Sequence, residues 1–470
     1  SGRFVVVYNG EVYNFLVLRE QLEGRGHSFR GSSDTEVLLA AVEEWGLTGA
    51  LRCLNGMFAF ALWDRVESRL HLARDRLGEK PLYYGWAGRD FVFGSEIRAL
   101  RAAPQFDSTI DHSALALLLR HKYIPAPYSP FAHIKKLLPG TTVCVEISRT
   151  IKVGEPRAYW SARDAADGGL SRPNRSTEAD LVDELDGLLS DAVSQRMISD
   201  VPLGAFLSGG IDSSTVVSLM TEQSNRPVRT FTMGFEDPQF DEANRARAVA
   251  EHLGTDHTEV FVTSKDALSV VPKLSAIYDE PFADPSQIPT FLVCGLARAE
   301  VTVALSGDGG DELFGGYARF LDTEDANPDT AVRKGLRALL RAGLLPGAAL
   351  RRSLAAQDLL LYRRTELGPW PRSRKSLALY LEGGALEKAK PGETLALWRT
   401  LATRFGGRMD TAALMRADLW TYLSENCLAK TDRAAMAHGL ETRVPLLGND
   451  VVDFALAQPA DRHVRPEPKA

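Results

Sequence analysis

Two glycine-rich segments contain the residues whose types and spacing could do chemistry. They are "LSGGIDSS", from Leu207 to Ser214, and "LSGDGGDELFGGY", from Leu305 to Tyr317. Glycine lets the backbone approach an anion closely, and serine hydroxyls and free N–H groups can donate hydrogen bonds to it. A carboxylate beside phosphate repels it unless a divalent cation lies between them, so Asp212 in the first segment indicates Mg²⁺.

The two segments are more informative together than apart. The first lacks the lysine of the G-x-x-x-x-G-K-[ST] loop, which reaches the β- and γ-phosphates of kinase and ATPase substrates. Either segment alone could be a tight turn whose acids cap a helix. Two such segments at successive strand ends of one sheet can converge on a single metal-bound polyphosphate, which is the interpretation we prefer.

The elements that must position these segments form an alternating pattern. After Thr177, apolar strands alternate with helices of about 10–15 residues, which is typical of a parallel, doubly wound α/β sheet. Each glycine segment follows a predicted strand and begins a predicted helix, so its N–H groups face the edge where such sheets bind ligands. Residues 320–425 are predicted to be mainly helical additions.

The amino-terminal part has a different pattern. Residues 1–150 alternate short β-rich runs with turns and include one amphipathic helix, which predicts an α+β layered domain. Residues 151–176 are rich in small, polar, glycine and proline residues and lack apolar periodicity, which predicts a linker. The expected organisation is a domain at 1–150, a linker at 151–176 and a second domain at 177–470.

Three motifs carry a resemblance to a known family. "LSGGIDSS" resembles the pyrophosphate loop of the ATP pyrophosphatases, and with "SGDGGDELFGGY" and "DRAAMAHGLETRVPLL" it resembles the glutamine-dependent asparagine synthetases. The resemblance implies an incomplete amino-terminal Ntn-hydrolase-type sandwich, acting as a glutaminase, and an ATP pyrophosphatase domain. It also implies a reaction in which ATP converts aspartate to β-aspartyl-AMP and releases pyrophosphate, after which ammonia from glutamine displaces AMP.

The resemblance assigns roles to residues of the second domain. Asp308 and Lys469 match catalytic positions, and Asp212 and Asp311 match ligands of Mg²⁺. The positions expected to bind ATP are Leu207, Ser208, Gly209, Gly210, Asp212, Ser213, Met233, Ser306 and Gly307.

The motif "YNGEVYN" near the start matches the family's glutamine site. The resemblance implies that Asn9 and Gly10 supply the oxyanion hole, where a side-chain amide and a backbone N–H stabilise a tetrahedral intermediate. Asn9 and Gly10, together with Glu11 and Asp34, are expected to bind glutamine. Taken alone, an Asn-Gly pair is more typical of a hairpin turn.

Both ends of the chain are expected to be truncated. The family's glutaminase nucleophile is an amino-terminal cysteine, and no cysteine stands in that register here. Cys53 has apolar neighbours and is expected to be a packed core thiol, so the 470 residues alone are not expected to hydrolyse glutamine. Lys469, the best match to an essential lysine of the family, stands one residue before the end.

Departures from the family pattern leave two alternatives open. Gly448 follows "RVPLL" where the family has aspartate, so the acceptor could be another carboxylate, such as a sugar acid or a β-lactam precursor. A non-catalytic paralogue that binds nucleotide or glutamine is the second alternative. Retention of Asp212, Asp308 and Asp311 argues against it, since a binding protein has little need of all three.

Composition narrows the classes of partner. A net charge of −6 gives no overall basic excess for a nucleic-acid backbone, although a local basic patch is compatible with it. The four cysteines are far apart and form no C-x-x-C pair, which disfavours a zinc site and fits a reducing cytoplasm. No run approaches the roughly 18 apolar residues of a membrane helix. The expected partners are the small molecules aspartate, glutamine or ammonia, and ATP, and a homodimer is compatible with the sequence.

Overall fold

The computed structural model of the chain describes residues 2–171, 177–235, 242–317, 320 and 411–464. These residues form two antiparallel sheets in the amino-terminal part and one five-stranded parallel sheet in the remainder. We call the two parts the first and the second unit.

The first unit is built from nine short strands and four helices within the described residues. The strands are β1 (Phe4–Val12), β2 (Gly56–Asp64), β3 (Arg69–Arg74), β4 (Tyr83–Ala87), β5 (Asp90–Gly94), β6 (Ile134–Lys136), β7 (Thr141–Ile147), β8 (Ile151–Val153) and β9 (Arg157–Ala158). The helices are α1 (Phe15–Glu23), α2 (Asp34–Cys53), α3 (Ile97–Arg101) and α4 (His112–His121). One sheet has the order β1-β2-β3-β7-β8, with β9 paired to β7, and the other has the order β5-β4-β6.

The larger sheet lies between two layers, which explains the apolar run of β2. On one face, Phe58 and Phe60 pack against α1 and α2. On the other face, Ala59 and Ala61 pack in a cluster with Tyr84 of the smaller sheet. A strand covered on both sides has no solvent face, so its sequence shows a continuous apolar run in place of alternation.

Helix α2 has a side-chain cap at its start and an interruption at Gly46. The Ser33 side chain accepts a hydrogen bond from Thr35 N, which caps the first turn. Gly46 has φ +68° and ψ 165°, so the helix is interrupted there before it continues to Cys53. Glycine adopts this conformation without the steric cost that other residues incur.

The stretch 151–176, expected to be a linker, contains regular structure. Strands β8 and β9 extend the larger sheet, and residues 162–170 form helix α5 (Ala162–Leu170). Small residues drive this packing, because Ala162 and Ala166 are buried and Gly169 lies against Ala457. Alanine and glycine give a weak periodic signal, which is why the sequence pattern did not indicate this helix.

The parallel sheet of the second unit has a strand order that reverses once. Its strands are β10 (Leu203–Phe206), β11 (Arg229–Phe235), β12 (Asp256–Val262), β13 (Val303–Leu305) and β14 (Glu441–Arg443). The order across the sheet is β12-β11-β10-β13-β14, and every pair is parallel. The chain therefore proceeds from β10 to one edge, returns to the centre and continues to the other edge.

Helices cover both faces of this sheet. They are α6 (Glu178–Met197), α7 (Ile211–Gln223), α8 (Ala243–Leu253), α9 (Ser264–Val270), α10 (Leu274–Ile277), α11 (Gln287–Arg298) and α12 (Gly310–Phe314), with a 3₁₀ turn at Val271–Lys273. Helices α6, α7 and α8 share one apolar cluster with β10, while α11 and β11 contribute to another. Thr177 forms a capping box with Asp180 at the start of α6.

The carboxy-terminal described segment adds five further helices. They are α13 (Thr411–Asp418), a π-helix (Leu419–Leu428), α14 (Ala429–Met436), α15 (Asn449–Ala457) and α16 (Ala460–His463), with a 3₁₀ turn at Pro445–Leu447. π-Helices are rare and occur mostly as single-turn bulges inside α-helices, frequently at functional sites. None of the helices in the described ranges has the length and apolar character needed to cross a membrane.

Buried ion pairs join the two units. Glu425 of the π-helix lies 3.1 Å from both Arg74 and Lys136 of the first unit. Asp432 of α14 lies 2.7 Å from Lys80. All five side chains are almost fully buried, so the cations of the first unit depend on the second unit for their charge partners.

Candidate active site

The two glycine loops lie side by side at the carboxyl edge of the parallel sheet. The first loop follows β10 and leads into α7, and the second follows β13 and leads into α12. Strands β10 and β13 are adjacent, and the strand order reverses between them. Open parallel sheets bind ligands at such a reversal, because the loops on its two sides leave a crevice.

The first loop is held by its serines and by one glycine. Ser208 Oγ and Ser213 Oγ lie 2.9 Å apart, and Ser208 N donates to Ser213 Oγ at 3.2 Å. Gly209 has a φ of +73°, and a Cβ there would lie 2.6 Å from the backbone N of Ala246. Only glycine allows this close approach to α8. The loop thus presents the N-terminus of α7, whose first N–H groups are available to an anion.

The second loop is in direct contact with the first. A Cβ on Gly307 would lie 2.8 Å from the backbone N of Ser213. A Cβ on Gly310 would overlap the carboxylate of Asp212. The structure therefore brings the two segments together, as the sequence pattern predicted, and glycine is required where they meet.

Three predicted acids share this edge. Burial, followed by the negative charges of Asp311 and Asp308, raises the pKa of Asp212 to about 6. Carboxylates that repel one another in this way form a donor set suited to a hard divalent cation. Within the described residues, no three acidic, histidine or cysteine side chains form a metal cage on their own. Mg²⁺ commonly uses one or two protein carboxylates and completes its shell with phosphate and water, so the residues present fit this ion.

Asp308 is oriented by two hydroxyl groups. Ser306 Oγ donates to Asp308 Oδ2 at 2.9 Å, and Thr431 Oγ1 donates to the same oxygen at 3.0 Å. Thr431 lies on α14, more than 120 residues later in the chain. The predicted catalytic acid is thus held by residues from both the second loop and α14.

A polar cluster lies next to Asp308. Lys430 Nζ donates to Ser286 Oγ at 2.9 Å, and Asn426 Nδ2 donates to Asp284 Oδ2 at 2.7 Å. Burial alone would lower the pKa of Lys430, but nearby groups that include Asp284 and Asp308 raise it above its usual value. The lysine therefore stays charged beside the acids, where it can attract an anionic substrate.

The other positions expected to bind ATP lie close to these loops. Leu207 is buried directly after β10, and its N–H donates to Phe231 O of the adjacent strand. Met233 lies further along that strand, which is β11. Lys469, expected to be catalytic, lies outside the described residues.

The predicted oxyanion residues lie on β1. Asn9 and Gly10 pair with β2, and a Cβ on Gly10 would overlap the carbonyl of Met57, so only glycine fits there. Asn9 Nδ2 donates to Ser95 Oγ at 2.9 Å. The residues form an extended strand and not the hairpin turn that an isolated Asn-Gly pair favours.

The two predicted glutamine-binding acids lie next to this strand. Asp34 Oδ2 accepts hydrogen bonds from Tyr8 OH at 2.8 Å and from Val12 N at 2.9 Å. Burial, followed by the charges of Glu441 and Asp34, raises the pKa of Glu11 to about 7. All four predicted residues of the glutamine site are thus brought to one end of β1.

Cys53 is placed differently from expectation. We expected a packed core thiol, but Cys53 is exposed. It is the last residue of α2, and its neighbour Leu51 contributes to the core. Apolar neighbours in sequence did not determine its burial, because only one face of the helix meets the core.

Several residues at the two sites were not identified from sequence. They are Ser95, Lys430, Thr431 and Arg433. Three of them, Lys430, Thr431 and Arg433, stand in or beside "DRAAMAHGLETRVPLL", a motif whose family resemblance assigns them no role. Only the spatial proximity of α14 to both units identifies them.

Comparison with known proteins agrees with this arrangement. The family model "Asparagine synthase" matches residues 184–469, and "Glutamine amidotransferase domain" matches residues 1–160. Glutamine-hydrolyzing asparagine synthetase 1 of Bacillus subtilis (strain 168) is 34% identical over 453 residues, which cover 96% of this chain and 69% of the relative. Glutamine-hydrolyzing asparagine synthetase 3 of the same organism is 28% identical over 474 residues, with 96% and 69% covered.

The fold and the site define a two-unit enzyme of the ligase class, in which a glutamine amidotransferase domain is joined to a parallel α/β unit with paired glycine loops. More particularly, the chain belongs to the asparagine synthase family. The resemblance expected from the three sequence motifs is therefore confirmed.

Proposed function

We propose that the chain catalyses the ATP-dependent amidation of aspartate to asparagine, through β-aspartyl-AMP and with release of pyrophosphate. The observation that carries the proposal is the contact of two glycine loops and their acids at the reversal of strand order. Relatives named as glutamine-hydrolyzing asparagine synthetases supply the substrate class.

The chemistry requires activation of a poor electrophile. A free carboxylate resists attack by ammonia, and transfer of AMP to its oxygen supplies a leaving group. The proposed ATP contacts are the first loop from Leu207 to Ser213, Met233, Ser306 and Gly307. The absence of a lysine in the first loop fits this reaction, since the loop would hold departing pyrophosphate and would not deliver a γ-phosphoryl group.

Charged residues at the sheet edge divide into two roles. Asp212 and Asp311 would hold Mg²⁺, which would neutralise the phosphates of ATP when bound. Asp308, oriented by Thr431, would face the acyl-adenylate, and Lys430 would attract substrate carboxylate or phosphate. Lys469 retains its proposed catalytic role from the family resemblance.

Ammonia would come from glutamine at the first unit. Asn9 and Gly10 would stabilise the oxyanion, while Glu11 and Asp34 would bind the amino-acid end of glutamine. This proposal treats the first unit as an Ntn-type sandwich, near residues 1–150, and the second as a doubly wound ATP pyrophosphatase domain, near 177–470. The reaction would take place in the cytoplasm, in keeping with four cysteines that all remain free, and the enzyme would act as a homodimer.

The acceptor and the metal site can be tested together. In the complete gene product, supplied with ammonia, ATP and Mg²⁺, pyrophosphate release should depend on aspartate and yield one asparagine per pyrophosphate. Asp212→Ala should lower this activity by about two orders of magnitude, the equivalent of about 3 kcal/mol of lost charge stabilisation. Asp183→Ala, which removes an exposed acid of α6, is the matched control and should be neutral.

Two results would contradict the proposal. Pyrophosphate release that aspartate does not stimulate would refute the acceptor and restore the sugar-acid or β-lactam alternative. Full activity in Asp212→Ala would refute the metal assignment. The curated relatives favour aspartate over these alternatives and over a non-catalytic paralogue.

A further inference from the structure

Helix α14 lies between the two proposed sites and contacts both. Thr431 donates to Asp308 at the sheet edge, at 3.0 Å. Two residues later, Arg433 Nη2 donates to the backbone carbonyl of Ser95 in the first unit, at 2.6 Å. Successive residues of an α-helix are about 100° apart, so positions 431 and 433 project to nearly opposite sides. Helix α14 thus contacts Asp308 in the second unit and Ser95 in the first.

The residue that Arg433 holds is itself bonded to the proposed oxyanion donor. Ser95 follows β5, and its Oγ accepts a hydrogen bond from Asn9 Nδ2 at 2.9 Å. A primary amide has two N–H groups. When Ser95 holds one of them, the plane of the amide is fixed and the second N–H has a defined direction.

The contact between Arg433 and Ser95 is partly buried and charge-assisted. Arg433 is 6% exposed, its guanidinium lies 3.5 Å from Glu96, and its Cζ lies 6.0 Å from the ring centre of Tyr83. Glu96 is also bound by Arg98, whose Nη2 lies 2.5 Å from its carboxylate. Glu96 therefore has a second cation, whereas the bond to the Ser95 carbonyl is made by Arg433.

We propose that Arg433 is a positioning residue for glutamine hydrolysis. Although it belongs to the second unit, it fixes Ser95, and Ser95 orients the amide of Asn9 toward the developing oxyanion. The inference rests on the proposed function, because it assumes that Asn9 acts as that donor. Its consequence is that the first unit reaches full glutaminase activity only when α14 of the second unit is docked against it.

The test compares glutamine hydrolysis with ammonia-dependent asparagine synthesis in the complete gene product. In Arg433→Met, kcat for glutamine hydrolysis should fall about tenfold or more, a part of the 10²–10³-fold loss seen when an oxyanion donor is removed. KM for glutamine should stay within about twofold, because the oxyanion forms only in the transition state and the tetrahedral intermediate, and not when glutamine is bound. Ammonia-dependent synthesis should also stay within about twofold.

Three further variants separate positioning from general damage. Arg433→Lys retains a donor for the Ser95 carbonyl and should recover most of the lost kcat. Ser95→Ala should reproduce the loss, and the double variant Arg433→Met/Ser95→Ala should be no worse than the more damaged single variant, because both act through Asn9. Arg98→Met removes the other cation beside Glu96 and should leave kcat unchanged.

The inference is overturned if Arg433→Met and Ser95→Ala hydrolyse glutamine at the unaltered rate, or if their effects multiply in the double variant. It is also overturned if the wild-type protein makes asparagine from ammonia but has no glutaminase activity, since no oxyanion then forms at Asn9. Failure of ammonia-dependent synthesis in the wild-type protein is a separate result, which refutes the proposed function itself.

Discussion

Lys136 offers the clearest test of how the two units are held together. Its ammonium group lies 2.5 Å from Glu280 and 3.1 Å from Glu425, and it also donates to Ile124 O. Burial alone would lower the pKa of Lys136, but Glu280, Tyr83 and Glu425 raise it above its usual value. The lysine is therefore a buried, charged bridge between β6 and the second unit.

Lys136→Met should remove the cation and leave two buried carboxylates near each other. Loss of one partner from a buried pair typically costs about 3–5 kcal/mol. At about 2 °C per kcal/mol, the value for larger domains, the melting temperature should fall by roughly 6–10 °C. Thermal melting followed by circular dichroism measures this change. This loss of melting temperature should be smaller at lower pH, because Glu280 and Glu425 can then take up protons and no longer carry buried charge.

The neighbouring Lys135 is the matched control for this experiment. It lies on the same strand but is exposed, so Lys135→Met should shift the melting temperature by no more than about 1 °C. The double variant Lys136→Met/Glu280→Gln should regain part of the loss, since it removes one stranded charge. Equal melting temperatures for Lys136→Met and Lys135→Met would refute the reasoning.

Two other expectations concern the second loop and the pH dependence of stability. Gly310→Ala should abolish most aspartate-dependent pyrophosphate release, because the new Cβ overlaps the carboxylate of Asp212, whereas Gly187→Ala has open space and should retain activity. Comparable activities in the two variants would contradict the proposed contact between the loops. Burial and the charge of Asp75 raise the pKa of Glu79 from 4.5 to about 8. Because folding raises the pKa of Glu79, the folded protein loses stability as pH rises from about 4.5 to 8. Glu79→Gln removes this penalty, so it should raise the melting temperature more at pH 8 than at pH 5.5. An increase that is the same at both pH values would show that the charge of Glu79 is not the cause.

Local patterns were sufficient to predict strands β10 and β13 and the two glycine loops that follow them. Strand β10 and β13 are short apolar runs followed at once by glycine, so both their type and their carboxyl ends could be located from sequence. Parallel strands align their carboxyl ends, and the convergence of Asp212 with Asp308 and Asp311 follows from that geometry.

Contacts between distant polar residues could not be predicted in the same way. The bond between Thr431 and Asp308 joins positions that no periodicity relates, and the pairing of Lys80 with Asp432 spans more than 350 residues. Strand β14, with the sequence "ETR", has little apolar character, and the β13 strand beside it determines its conformation. Tertiary context overrides weak local propensity in such elements.

The parallel sheet has a consequence for the order in which the chain can assemble during synthesis. Its inner strand β13 receives its outer partner β14 only when residues 441–443 have been made, and Ser306 N then bonds to Arg443 O. The antiparallel sheets of the first unit need no residue beyond Ala158. A nascent chain would therefore carry a folded first unit, with the cations Arg74, Lys80 and Lys136 still uncovered, until the last elements emerge. The order of synthesis would therefore delay the packing of the two units against each other until β14 and α14 are made and the carboxyl edge of the parallel sheet is complete.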